Sequence, residues 1–324
     1  MTRRQTNTAA FLVGLSPLLQ VVPNPQIKAL GGAGWIGCLA ALPGLLLLGA
    51  ALKRRPPRDA GRAASFLLAL WLAAAAAAAL SACAARYDTA VGVFRSPLPY
   101  AALLLLTALP AALGGEKALF RAGEIFLPVV LFLLTVGLAS AARQLHPARL
   151  IDLKRLTPQA VLTAAVPVFA VGAGALVVPR VFARVRPDPG AALGLGALAA
   201  VVCAVTTGML GAPLTERLEL PLFTMLRNTS LLHTVERLDA LVAAVWILPD
   251  VTALTLLLHA CGDCAARALC IPERRRATLG AGAVTAAGAA MLLLNKDAAS
   301  PYLAPVLCFG VAAITVCALL RKKA

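Results

Sequence analysis

Ala240-Leu-Val-Ala-Ala-Val-Trp-Ile-Leu-Pro-Asp250-Val-Thr-Ala-Leu-Thr-Leu-Leu-Leu258 carries a single charge, Asp250, in its middle. A helix needs about 20 apolar residues to cross the hydrocarbon core of a bilayer, and this run is long enough. Uncharged or nearly uncharged windows of similar length recur at 5–27, 29–52, 63–85, 96–115, 125–142, 156–179, 189–215, 277–295 and 298–320. With the Asp250 run they predict an all-α membrane protein of about ten transmembrane helices. Composition agrees: 60% of the residues are hydrophobic and 14% charged, where a soluble globule carries about half and about a quarter. No loop is long enough for a separate domain, so residues 1–324 read as one polytopic unit.

An acid at that depth costs a few kcal/mol to insert, so it turns toward the bundle interior, a partner or water. Asp250 is therefore a candidate polar or coupling residue. The plainer reading is that, beside Pro249, it hydrogen-bonds backbone loosened at a helix kink.

The net charge of +16 would suggest nucleic acid in a soluble protein. Here the basic residues fall in short loops between spans, with more on the side of the N-terminus, so they set topology and put both termini in the cytoplasm. Membrane lipid, not nucleic acid, is the expected surroundings. The first span lacks an A-x-A-like cleavage site after it and reads as retained. The eight cysteines lie mostly within spans, where a thiol behaves as a small apolar residue. Cys261, Cys264 and Cys270 are closely spaced, with His259 as a nominal fourth ligand, but two of the spacings are arbitrary and no metal is expected. No phosphate-binding loop, nucleophile elbow or metalloprotease helix occurs, so enzymatic activity has no motif behind it and no cofactor is implied.

Two spans carry breaker residues. Pro23-Asn24-Pro25 removes two backbone donors from the first, which predicts a broken helix there, or else an end to the span at Val22 with the prolines at the surface. The sixth, with Pro158, Pro167, Gly172, Gly174 and Pro179, is the second expected break, around Val171–Ala175. Interrupted spans one and six of ten are what a five-plus-five inverted repeat would produce, with freed backbone groups holding a ligand. Small residues for close helix packing are the alternative. Between spans seven and eight, Pro213 to Arg237 is apolar enough for a short interfacial helix or hairpin, placed as a partner contact or a lid over an outward cavity. In the joint between spans four and five, read as a structural elbow, Arg121 and Glu124 are three apart and can pair on a helix. Ala73–Ala79 reads as low-complexity filler.

Three blocks resemble the B subunit of the spore germination receptor, a permease-like family in the amino acid/polyamine/organocation transporter superfamily. Thr2-Arg3-Arg4-Gln5, the apolar run to Pro23 and then Gly31-Gly32-Ala33-Gly34-Trp35-Ile36 are similar to the family's start. Gly115-Glu116-Lys117-Ala118-Leu119-Phe120-Arg121-Ala122-Gly123-Glu124-Ile125-Phe126-Leu127-Pro128 resembles its elbow between spans four and five. Leu220-Pro221, Glu236-Arg237-Leu238-Asp239-Ala240-Leu241 and Trp246 resemble its approach to span eight.

The resemblance implies a LeuT-like inverted-repeat transporter fold in the inner membrane of a dormant spore. It also implies an A subunit and a lipoprotein C subunit as partners, and a small nutrient, often an amino acid, as ligand. Its implied ligand site lies between spans one and six, at Ser16, Gln20, Val21, Gly172 and Gly174, with Arg121, Glu124 and Asp239 as structural elbow residues. The chain departs from the family at Ser16-Pro17-Leu18-Leu19-Gln20, where a glycine-containing break is usual. It departs again at Val171-Gly172-Ala173-Gly174-Ala175, which lacks the usual acid. A secondary amino acid transporter using Asp250 and a ligand-free structural subunit are the rival expectations.

Overall fold

In a membrane core, backbone groups find no water, so a spanning segment must satisfy them internally as helix. The computed structural model describes residues 2–54, 61–94, 96–114, 116–152, 154–182, 188–229 and 238–294. Among these residues there is no strand. The helices are α1 (Arg3–Val21), α2 (Asn24–Leu30), α3 (Gly34–Arg54), α4 (Arg62–Val91), α5 (Leu98–Gly114), α6 (Glu116–Ala142), α7 (Pro158–Phe182), α8 (Pro189–Leu210), α9 (Ala212–Arg217), α10 (Pro221–Arg227), α11 (Leu238–Leu269) and α12 (Arg274–Leu294). Every window read from the sequence falls on a helix except 298–320, which lies outside the described residues. Among the described residues, seven segments are long and apolar enough to cross a bilayer. The chain is an all-α integral membrane protein.

A capping box starts α1: the Thr2 hydroxyl accepts from the Gln5 amide, and the Gln5 side chain accepts from the Thr2 amide at 3.1 Å. Although its first turns are polar, α1 is the central helix, packed on α6, α7, α8 and α11 and buried along most of its length. Its opening is tied down by Arg3 to Asp188 at 2.6 Å, by the Asn7 side chain accepting from the Asp188 amide at 2.8 Å, and by Gln5 donating to Glu124 at 3.3 Å. The widest helix contact is α11 on α4, followed by α3 on α8 and on α7.

The interruption in span one is present, but it sits at the end of the helix. α1 stops at Val21, the Val22–Pro23 peptide is cis, and α2 begins at Asn24. At about 1.5 Å per residue α1 has by then covered most of a hydrocarbon core.

The expected break in span six does not occur. α7 is one helix through Val171–Ala175, with Pro167 and Pro179 inside it. Gly172 serves close packing instead: a Cβ there would come within 2.6 Å of Leu45 on α3. The small residues of α1 and α7 work the same way, since a Cβ on Gly14 would lie 3.1 Å from that of Ala175.

The Arg121–Glu124 pair also fails to form, because the first turn of α1 lies against α6 and reaches Glu124 first. Arg4 pairs with Glu124 at 3.9 Å while Arg121 is exposed. This pair is largely in solvent, so Glu124→Ala is expected to lower stability by less than about 1 kcal/mol, read as a thermal midpoint in detergent.

Candidate functional site

The helical spacing of three long elements brings their polar residues to one level. On α1, Ser16 and Gln20 are one turn apart; on α4, Cys83, Arg86 and Tyr87 share a face; α11 contributes Trp246 and Asp250, one turn apart. Ser16 Oγ donates to Asp250 Oδ1 at 2.6 Å, the Tyr87 hydroxyl donates to Oδ2 at 2.8 Å, and Arg86 Nη2 pairs with Oδ2. Asp250 is fully buried and Arg86 nearly so. The acid therefore bonds side chains of two other helices, which replaces the kink-backbone reading of Asp250. Gln20 Nε2 donates to Cys83 Sγ at 3.0 Å. The Arg86 guanidinium lies over two rings, 5.2 Å from the centroid of Tyr87 and 5.3 Å from that of Trp246, a cation–π arrangement on both.

Three polar atoms around this network have no hydrogen-bond partner among the described residues: Arg86 Nη1, Trp246 Nε1 and Gln20 Oε1. All three residues line one open cleft. Its other walls are Leu19 of α1, Val22 just past the end of α1, Ala90 of α4, and the turn into α10 from Glu219 to Phe223. The segment between α8 and α11 thus forms part of the cleft wall through α10 and the residues before it; residues 230–237 lie outside the described residues. A buried donor or acceptor left unpaired costs about 1–3 kcal/mol. Two such donors and one acceptor on residues of one cleft are complementary in chemistry to a small polar ligand.

Of the residues expected at the site, Ser16, Gln20 and Asp250 come together. Val21 is buried at the end of α1 and is not part of the cleft wall. Gly172 packs on Leu45, and Gly174 lines a separate buried cavity. The side chain of Asp239 lies outside the described ones. Sequence reading missed Arg86 and Tyr87. The signal was available: α4 runs to Val91, and an arginine just past an apolar window, on the same chain as an intramembrane acid, is a partner to test. Near the other end of α11, Cys261 donates to the Ala69 carbonyl at 3.3 Å, Cys270 is exposed, and His259 contacts Arg274 and the Ala112 carbonyl. No group of three metal-ligating side chains occurs among the described residues.

No protein-family model matches the chain, and no curated protein matches it.

Proposed function

We propose that this chain is the small-molecule-sensing membrane subunit of a nutrient germinant receptor, with the ligand held in the cleft above Arg86 and Asp250. The observation that carries the reading is the set of buried, unpaired polar atoms, Arg86 Nη1, Trp246 Nε1 and Gln20 Oε1, on three residues that line one cleft. An amino acid carries the groups complementary to them. Its carboxylate takes the two donors, its ammonium group takes Gln20 Oε1 with Glu219 at the mouth, and a short side chain lies against Leu19, Val22 and Phe223. Asp250 holds Arg86 in place and is itself occupied by three donors. The proposal keeps the ten-helix inverted-repeat architecture, cytoplasmic termini, the spore inner membrane, and an A subunit and lipoprotein C subunit as readers of the bound state.

Trp246→Phe removes one donor and keeps the ring over Arg86. It is expected to weaken amino acid binding about tenfold, the equivalent of one hydrogen bond, measured by calorimetry on the solubilised chain. In spores lacking the gene, complementation with the same variant should shift the dose response to one nutrient class by a similar factor. Unchanged responses to every amino acid, sugar and nucleoside in the deletion strain would sink the sensor reading. A secondary amino acid transporter is the second reading, favoured by the cleft lying directly over a buried acid, and uptake into vesicles tests it.

A further inference from the structure

Below the Asp250 layer lies a second cavity whose walls come from α1, α4, α7 and α11. Its position follows from the register of the helices. Along α4, Trp71, Ala75 and Ala79 line this cavity, Cys83 and Arg86 belong to the polar layer, and Ala90 lines the outer cleft. Along α11 the same order reads Ala253, Asp250, Trp246. The two spaces are thus stacked and separated by the ion pair.

Their chemistry is opposite. Every residue around the inner cavity is buried, and almost none of the surface it presents is polar. Pro17 and Pro179 remove the N–H groups that would take the carbonyls of Val13 and Ala175, both wall residues, yet those oxygens barely reach the space. Water needs two to four polar partners to occupy a cavity, so this one excludes it; dry apolar cavities in proteins take up hydrocarbon-like molecules. A cation or an amino acid finds nothing to pair with there. Compounds of the right kind are also concentrated around the protein, because they dissolve in the bilayer core.

We propose that this inner cavity is a binding site for one small, uncharged, apolar molecule of a few heavy atoms, separate from the polar ligand of the outer cleft. The site does not rest on the sensor reading.

Trp71 in the wall reports occupancy. The full chain in detergent, with Trp35→Phe and Trp246→Phe so that Trp71 is the sole tryptophan, would be titrated with the apolar quencher halothane. Saturable quenching is expected, displaced by cyclopropane, which does not quench. Ala79→Leu fills the space and should weaken binding about tenfold or more; Val13→Ile adds one methylene, disturbs the fold less and should weaken it by a smaller factor. Quenching that rises linearly without saturation, or is unchanged in the folded Val13→Ile protein and undisplaced by cyclopropane, would reflect partition into detergent and overturn the proposal.

Discussion

Asp250→Ala is expected to destabilise the protein by about 3–5 kcal/mol, because it leaves the Arg86 charge buried with no counter-charge. Ser16 and Tyr87 lose their acceptor at the same time. Asp250→Asn should recover part of the loss, since an amide oxygen still accepts from those two hydroxyls, but the guanidinium remains uncompensated. The informative partner is the double change Arg86→Met with Asp250→Leu. Replacing a buried ion pair with apolar side chains of similar volume is neutral or stabilising by about 1–4 kcal/mol in other proteins, while the Ser16 and Tyr87 hydroxyls still lose their acceptor at about 1–3 kcal/mol each, so the double variant should melt above Asp250→Ala and no higher than the parent in detergent. It should nonetheless fail to bind the cleft ligand, because the Arg86 donor is gone. A double variant as unstable as Asp250→Ala would show that hydrogen bonds, not the charge pair, hold the three helices together.

Gly32→Ala is expected to cost about 2–3 kcal/mol, at the upper end for one added methyl group. Gly32 sits in the single 3-10 turn Gly31–Ala33 that joins α2 to α3, following Gly31 at φ +58°. A Cβ on Gly32 would overlap the Arg149 carbonyl oxygen and lie 3.2 Å from its carbon. Backbone cannot rotate away as a side chain can, so the turn or the segment Pro147–Leu150 must shift. Gly190 is the control. It lies in the first turn of α8, and a Cβ there meets nothing within 4 Å; Gly190→Ala should be neutral or stabilise by about 0.5–1 kcal/mol. Equal thermal shifts for the two variants would count against close packing as the cause.

The spans were legible because apolarity over a bilayer's length has few other solutions, and the helices follow the windows from α1 to α12. Asp250 was legible for the same reason: one charge in an uncharged run stands out. Its partners were not, because pairing across α1, α4 and α11 depends on the rotation and register of helices far apart in sequence. Ser16 entered the reading through its place in the chain, and its bond to Asp250 was not foreseen. The expected break in α7 failed on a local point. Glycine and proline weaken a helix in isolation, but packing against Leu45 and the rest of α3 keeps α7 regular. The alanine run of α4 looked like filler, yet Ala75 and Ala79 are small enough to leave the inner cavity open.

The central position of α1 has a consequence for how the protein is made. This helix is made before the others described, opens with Arg3-Arg4-Gln5-Thr6-Asn7-Thr8, and is not among the seven described segments apolar enough to cross by composition. The groups it bonds are synthesised long afterwards: Glu124 on α6, Asp188 before α8, and Asp250, 234 residues after Ser16. Gln20 meets Cys83 once α4 is made, but until α11 emerges Ser16 lacks the acceptor it has in the folded protein. A chain that stops short of α11 therefore leaves the middle of α1 without the buried acid that ties it to α4, and the order of synthesis is the reverse of the order in which this layer is completed.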